Sequence, residues 1–254
     1  MITEVKVGTE KLSAPPFFFG IGSCFVSNLE AYLNQWGYTY QFNPLGTSFN
    51  PISIAKQLRW IFDNENLSPL FFYQGIFHQL DAANAWQNES AASLQGVLEN
   101  SRNKILKYLD QPDKNLVLVV SLGTAHAWFK EKQLVNNCHQ LPGQLFERRL
   151  LGIEEVVADW RQTLTQLPEN VKIIFTVSPV RYTRIGLQEN FLGKSILRAA
   201  IEELLISPKV MYFPSFEIIN DELRNYNFFE SNGTHPNSKA IEVVMKRFKT
   251  FLHL

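Results

Sequence analysis

Five short runs of β-branched and aromatic residues alternate along the chain with longer stretches of helical periodicity. The short runs are typical of buried strands, and they span residues 17–22, 38–42, 115–122, 171–177 and 209–213. The apolar stripes that predict amphipathic helices run over residues 25–36, 54–62, 94–109, 153–164, 191–205 and 240–251. This alternation predicts an α/β protein whose parallel sheet carries helices on both faces. Ligands of such sheets bind at the carboxyl ends of the strands.

Two stretches interrupt the alternation. Residues 64–88 contain Gly75 between aromatic residues, which predicts a small hairpin around that glycine. Residues 124–149 are polar, and we expect them to be irregular. Both stretches follow predicted sheet elements, so we expect them to form walls over a site. No linker, internal repeat or low-complexity tract divides the sequence, and we predict a single domain over residues 1–254.

The composition excludes several classes of protein. A hydrophobic fraction of 45% and a charged fraction of 19% are those of a soluble globular chain. With 24 acidic and 24 basic residues, the formal net charge of zero gives no support for binding nucleic acid. Two cysteines in 254 residues indicate free thiols in a reducing compartment. No signal peptide or membrane-length apolar run is visible, so we expect a cytoplasmic protein with no membrane partner.

The end of the first predicted strand is a suitable position for a nucleophile. Glycines at positions 20 and 22 close the strand, and Ser23 and Cys24 follow just before the first predicted helix. A nucleophile at such a turn lies exposed at the sheet edge, where the helix dipole and free amides stabilise a thiolate or an oxyanion. Glycines also allow the tight turn that this geometry requires.

A polar loop near the C-terminus supplies a candidate base. The loop places Asn232 three residues before His235, just ahead of the last predicted helix. A histidine held by an acceptor on one ring nitrogen can take a proton with the other nitrogen. We therefore expect His235 to act on the hydroxyl or the thiol of the first junction.

Several motifs together resemble the GSCFA family. Residues 22–25, Gly-Ser-Cys-Phe, match the motif that names the family, with Val26 where the motif has alanine. Further stretches resemble that family in chain order, and they are residues 43–47, 50–51, 121–124, 137–139, 176–180, 212–217 and 234–236. The family is similar to the SGNH/GDSL-type hydrolases. This resemblance implies a three-layer flavodoxin-like, SGNH hydrolase-like sandwich with a central, mostly parallel five-stranded sheet.

The resemblance also implies positions for the nucleophile. A gapless overlay of Gly-Asp-Ser-Leu on residues 22–25 puts Cys24 at the nucleophile position and Phe25 at the apolar position that packs into the core. A shift by one residue makes Ser23 the nucleophile instead. If Cys24 reacts, we expect Ser23 to cap the first helix, a common role for serine at that position.

The Asp-x-x-His pair of SGNH enzymes corresponds here to Asn232 and His235. A thiolate–imidazolium pair functions with an asparagine that only orients the ring. Cys24, His235 and Asn232 therefore form one self-consistent triad. The alternative joins Ser23 and His235 to a substitute acid such as Glu230.

The resemblance further implies an oxyanion hole made by the nucleophile's own amide, a glycine and an asparagine. Gly46 is the corresponding glycine. Ala125 stands where the family of hydrolases has the asparagine, so we expect Thr124 or Asn137 to replace that donor. We expect His139 to contribute to the wall of the site.

The remaining candidates have ordinary alternatives. We interpret His78 and His126 as surface or loop residues. Arg181 and Arg184 follow the fourth predicted strand, where they would either bind an anionic substrate group or lie in a solvated loop.

Cofactor and metal signals are weak. Neither common phosphate-binding glycine loop occurs, and the Cys138–His139 pair has no second pair at metal spacing. We therefore expect neither a cofactor nor a metal.

Taken with the resemblance, these residues predict an enzyme, either an acyl-ester hydrolase or an acyltransferase. We expect its substrate to be an acylated carbohydrate or a related small ester or thioester. The alternative is a catalytically inactive SGNH scaffold that binds a glycan or small ligand, because Asn232 and Ala125 replace the hydrolases' acid and amide.

Overall fold

The computed structural model describes residues 4–10, 12, 16–109 and 115–254. The strands are β1 (Pro16–Gly22), β2 (Thr39–Phe42), β3 (Phe71–Tyr73), β4 (Ile76–His78), β5 (Gln87–Asn88), β6 (Asn115–Leu122), β7 (His126–Lys130), β8 (Gln133–Val135), β9 (Glu147–Leu150), β10 (Lys172–Val177) and β11 (Val210–Tyr212). The helices are α1 (Cys24–Gln35), α2 (Pro51–Phe62), α3 (Ala91–Leu109), α4 (Ile153–Gln166), α5 (Leu187–Leu204), α6 (Ser215–Glu217) and α7 (Ser238–Phe251).

Five of these strands form a central parallel sheet in the order β11–β10–β6–β1–β2. If these five are numbered along the chain, the order from the β2 edge is 2-1-3-4-5, which is that of flavodoxin-like sheets. The predicted fold class is therefore confirmed. The predicted strands match the observed ones to within one residue at either end. The inner strands β1, β6 and β10 are largely buried apolar runs, whereas the edge strand β2 is only partly buried.

Helices cover both faces of this sheet. Along β1, Phe17, Phe19 and Ile21 belong to a core cluster shared with α2, α4 and α5. Phe18 points to the opposite face and joins a second cluster with α1 and α7. These side chains are 0–1% exposed, and each contributes about 1.5–3 kcal/mol by burial. The alternation along one strand thus builds the three layers.

Two small antiparallel sheets lie outside the central one. The sheet β3–β4–β5 contains the predicted hairpin around Gly75. The prediction that residues 124–149 are irregular is wrong, because β7 pairs with both β8 and β9 there. The turn between β7 and β8 uses Glu131 and Lys132 at φ values of 51° and 70°. Non-glycine residues rarely adopt this conformation, so the sequence carries no turn signal at that point.

Among the helices within the described ranges, none combines the length and apolar character needed to cross a bilayer.

Gly22 allows the two central strands to meet. Its φ of 136° lies in a region that favours glycine, and a Cβ there would come within 2.2 Å of the Ser121 carbonyl oxygen. We expect Gly22→Ala to lower the free energy of unfolding by about 2–6 kcal/mol, because backbone strain and overpacking each cost about 1–3 kcal/mol. Urea denaturation measures this change.

Gly96→Ala is the matched control, since a Cβ at that exposed position of α3 meets no atom within 4 Å. It should raise the free energy of unfolding by about 0.5–1 kcal/mol. Equal stabilities of the two alanine variants would show that position 22 tolerates a side chain.

Candidate active site

A cavity of about 560 Å³ opens at the carboxyl edge of the central sheet. It lies where the strand order reverses between β1 and β6, the usual ligand position in such sheets. Its walls come from the ends of β1, β6 and β10, from β7 and the segment after β8, and from the loop before α7. The lining residues are Ser23, Cys24, Phe49, Asn50, Gly123, Thr124, His126, Trp128, Asn136, Asn137, Cys138, Ser178, Val180, Arg181, Tyr182, Thr183, Arg184, Thr234 and His235.

Ser23 is fixed to the neighbouring strand. Its amide donates to the Ser121 carbonyl oxygen at 3.0 Å, and the two serine hydroxyl oxygens lie 2.7 Å apart. Ser23 is 2% exposed. It occupies the N-cap position of α1, but its side chain makes no capping hydrogen bond, so the predicted capping role is wrong. The hydroxyl instead ties β1 to β6.

Cys24 is the first residue of α1 and is half-buried. The first amides of a helix have no acceptor within it, so the Cys24 amide is oriented to stabilise a negative charge. The other thiol, Cys138, also lines the cavity, but burial raises its pKa to about 11. Of the two thiols, Cys24 has the surroundings of a nucleophile, and Cys138 stays protonated at neutral pH.

His235 lines the same cavity as Cys24 and Ser23. Its backbone carbonyl accepts from the Glu230 amide at 2.7 Å, while its imidazole has no hydrogen-bond partner among the residues that the structure describes. Asn232 turns its side-chain oxygen to the Thr234 amide at 2.9 Å. Neither Asn232 nor the side chain of Glu230 forms a described hydrogen bond to the ring. The structure therefore brings the two candidate nucleophiles and the candidate base to one cavity, and no described side chain orients the imidazole.

The loop that carries His235 is held by Arg181. The Arg181 amide donates to the Thr234 carbonyl oxygen at 3.1 Å, and its Nη1 donates to the Gly233 carbonyl oxygen at the same distance. Its guanidinium also lies 4.1 Å from the ring centroid of Phe229. These contacts connect the end of β10 to the loop, so the position of His235 depends on the central sheet.

Gly46 does not line the cavity. Its amide donates to the Asn43 carbonyl oxygen at 2.8 Å within a tight turn, and its φ is 79°. A Cβ at this position would lie 2.4 Å from that of Ala83. The turn accounts for the glycine, and its amide is already paired.

Thr124 and Asn137 both line the cavity. The Thr124 amide donates to the Phe49 carbonyl oxygen at 3.0 Å, and its hydroxyl oxygen accepts from the His126 amide at 3.0 Å and lies 3.4 Å from Nδ1 of that histidine. The Asn137 side-chain oxygen accepts from the His139 amide at 2.9 Å. This contact directs the Asn137 amide nitrogen elsewhere, and it has no partner in the described part of the chain. As far as the chain is described, the Asn137 side-chain nitrogen is therefore available to a ligand in the cavity.

His139 lies behind the wall and is not among the lining residues. Its Nε2 lies 3.1 Å from the Ala82 carbonyl oxygen, to which it must donate, and its Nδ1 lies 3.4 Å from Nδ1 of His78. Burial lowers the pKa of His139 to about 4, so the ring is neutral and structural. His78 is also buried, at 5% exposed, which corrects its interpretation as a surface residue.

His126 is buried as well, at 7% exposed, and it faces the cavity from β7 together with Trp128. Burial and the nearby charge of Arg148 lower the pKa of His126. The interpretation of this histidine as a surface residue is wrong. Side chains alternate between the two faces of a strand, so His126 and Trp128 lie on the same face of β7. Recognising a strand at residues 126–128 would have placed both side chains together.

Lys194 of α5 is buried, and it is not among the candidate residues predicted from the sequence. Its ammonium donates to the carbonyl oxygens of Gly123 and Ser178 at 2.5 and 2.6 Å. An ammonium has three donors, and the third has no partner within the described ranges. Burial lowers the pKa of Lys194 to about 7, and negative charge on Cys24 opposes that shift. Lys194 has the helical spacing that places it on the buried face with Leu197 and Ile201. A lysine in an amphipathic helix is normally exposed, so this spacing alone does not identify it as buried.

The family profile of the GSCFA family matches residues 17–248, nearly the whole chain. The chain belongs to the GSCFA family. No curated protein gave a significant match. Among solved structures, a crystal structure of a carbohydrate esterase family 3 from Talaromyces cellulolyticus is similar, with 8% sequence identity and a TM-score of 0.41. The alignment covers 92% of this GSCFA protein and 94% of that chain.

The two thiols should differ in reactivity. We expect Cys24 to react with iodoacetamide at pH 7 at least about tenfold faster than Cys138, because thiolate is the reacting form and burial suppresses it at Cys138. Mass spectrometry of the single variants Cys138→Ala and Cys24→Ala, which each retain one thiol, measures the two rates. Faster labelling of Cys138 would contradict the assignment of Cys24 as the nucleophile.

Lys194 should increase the rate at which Cys24 reacts with an electrophile. We expect Lys194→Met to slow Cys24 alkylation by about 3–10-fold, because a nearby cation stabilises the thiolate. Since the pKa of Lys194 is about 7, the ratio of wild-type to variant rates should be largest below pH 7 and fall as the pH rises through it.

Lys246→Met removes an exposed lysine of α7 that pairs with Glu242, so it controls for the loss of charge. Its alkylation rate should equal that of the wild type. An unchanged rate in Lys194→Met would remove the electrostatic role of this lysine.

Proposed function

We propose that this GSCFA protein is an acyl-transferring enzyme, a hydrolase or an acyltransferase, with Cys24 as nucleophile and His235 as general base. One observation carries the proposal. Cys24 and His235 line one cavity at the switch point of a flavodoxin-like sheet, and the buried ammonium of Lys194 donates to the carbonyl oxygens of two lining residues, Gly123 and Ser178.

In the proposed reaction, the Cys24 thiol gives its proton to His235 and its sulfur attacks the carbonyl carbon of an ester or thioester. The amide of Cys24 and the side-chain nitrogen of Asn137 are the donors for the oxyanion. The tetrahedral intermediate then collapses to a thioester on Cys24, and His235 returns the proton to the departing oxygen or sulfur. Water completes hydrolysis, whereas an acceptor alcohol or thiol completes acyl transfer.

The surroundings of the two candidate nucleophiles favour the thiol. The Ser23 hydroxyl is buried and shares a 2.7 Å hydrogen bond with Ser121. A serine nucleophile also depends on a strongly basic imidazole, and no described carboxylate contacts the ring of His235. A thiol ionises more easily than a hydroxyl and tolerates a weaker base. The nearby ammonium of Lys194 adds to this advantage.

The cavity suits a small substrate. Its volume of about 560 Å³ falls in the range of sites for small molecules. Indole, phenyl and amide groups of Trp128, Phe49 and Asn136 give it a mixed apolar and polar lining. We propose an acylated carbohydrate or a related small ester or thioester as the substrate.

A binding protein without catalysis is the second candidate. It is favoured by the imidazole of His235, which lacks an orienting partner in the described part of the chain, and by the Asn232 side chain, which caps its own loop. In that case the cavity would hold an acylated or free glycan without turning it over.

Hydrolysis of p-nitrophenyl acetate and of S-acetyl-N-acetylcysteamine separates these alternatives. We expect Cys24→Ala and His235→Gln each to lower kcat/KM by on the order of 10²–10⁴. Asn232→Ala should stay within about threefold of the wild type, because its side chain makes no described contact with the ring. Mass spectrometry should find the acetyl group on Cys24.

Ser23→Ala is the matched control for the neighbouring position. Activity that survives Cys24→Ala and disappears in Ser23→Ala would establish a serine enzyme. No turnover of either substrate, combined with glycan binding, would establish the binding protein.

A further inference from the structure

We propose that the acyl substrate of this site carries an anionic group, a phosphate or a carboxylate, which Arg184 and Arg148 bind at the mouth of the cavity. The acyl part of this inference rests on the proposed function. The anionic part rests on the distribution of charge around the cavity.

Charge is unevenly distributed between the cavity and the rest of the protein. The chain as a whole has 24 acidic and 24 basic residues. The lining of the cavity, as far as the structure describes it, contains Arg181 and Arg184 but no aspartate or glutamate. The local excess of positive charge therefore does not follow from the composition.

Most arginines elsewhere in the protein have a carboxylate within ion-pair distance. These paired arginines are Arg59, Arg149, Arg161, Arg198, Arg224 and Arg247. Within the described ranges, Arg148, Arg181 and Arg184 have no such partner. Arg102, which also lacks one, donates instead to the carbonyl oxygen of Ile61 on another surface. Of these unpaired guanidiniums, Arg181 and Arg184 line the cavity and Arg148 lies beside the lining residue Trp128.

The guanidiniums of Arg148, Arg181 and Arg184 differ in their contacts near the cavity. Arg181 is engaged with the loop of His235 through the Gly233 carbonyl oxygen, so its role is mainly structural. Arg148 lies 6.0 Å from the ring centroid of the cavity residue Trp128, and its charge lowers the pKa of His126. Arg184 lines the cavity and is exposed. Arg148 and Arg184 therefore remain available to a ligand.

A guanidinium binds phosphate and carboxylate groups through two parallel hydrogen bonds. Arg184 and Arg148 are exposed and have no carboxylate within ion-pair distance in the described ranges, although the Glu189 carboxylate lies 3.7 Å from Nε2 of the cavity residue His126. The buried ammonium of Lys194 adds a third positive charge near the floor of the cavity. These charges would attract an anionic substrate more strongly than a neutral one.

Binding of non-acylated probes tests the inference without any turnover. Pyrophosphate, succinate and neutral N-acetylglucosamine are titrated into the native protein by isothermal titration calorimetry at low and high sodium chloride. We expect at least one of the two anions to bind more tightly than the sugar, and its affinity to fall with salt. Tighter binding of pyrophosphate identifies a phosphate group, and tighter binding of succinate identifies a carboxylate.

Substitutions locate the binding site. Arg184→Gln and Arg148→Gln should each raise the Kd of the bound anion by about tenfold. Arg161→Gln is the control, because it removes one exposed guanidinium whose partner is Glu203, outside the cavity lining. Its Kd should stay within about twofold of the wild type.

A comparison of two thioesters with the same acetyl-thioester group tests whether anion binding contributes to activity. If the group is a phosphate, acetyl coenzyme A should have a higher kcat/KM than S-acetyl-N-acetylcysteamine, and Arg184→Gln should reduce only the former. Anions that bind no more tightly than the sugar, or equal Kd values for Arg184→Gln and Arg161→Gln, would overturn the inference. Turnover of the neutral thioester would then leave the proposed function intact, whereas anion binding without any turnover would refute the function and keep the anion site.

Discussion

The close approach of β1 and β6 at their carboxyl ends determines where the chemistry of this protein lies. Only a residue without a Cβ fits at position 22, because the Ser121 carbonyl oxygen occupies that space. The next residue, Ser23, bonds to the same serine through its amide and its hydroxyl. The chain must then turn, and Cys24 starts a helix directly over the point where the strand order reverses. The position of Cys24 therefore follows from a backbone contact.

Most of the fold could be predicted from the sequence because hydrophobic periodicity reports burial. The inner strands β1, β6 and β10 are nearly continuous apolar runs, and helices cover both of their faces. The strands of residues 124–149 lacked this signal. They are three to five residues long, they contain polar side chains, and their turn uses Glu131 and Lys132 in a glycine-like conformation. Tertiary contacts, not local preference, stabilise them.

The candidate site could be predicted only in part. Motif position placed Cys24 and His235 in one cavity, because strand ends and the loop before the last helix meet at one edge of the sheet. Spacing alone could not show that the side chain of Asn232 turns back on its own loop. A lysine within an amphipathic helix is normally exposed, which is why the buried position of Lys194 needed the structure. Single-residue roles of this kind depend on contacts between distant segments.

The division between the central sheet and the cavity wall has an evolutionary consequence. The wall strands β7, β8 and β9 occupy one continuous insertion between β6 and α4, and the side chains of His126, Trp128 and Asn137 that it presents lie outside the turn that holds Cys24. Mutations in this insertion can change the shape and polarity of the cavity while Cys24 keeps its position. Related chains can therefore diverge in the ligands they bind while the central sheet stays the same, because specificity can reside in loops on a rigid scaffold.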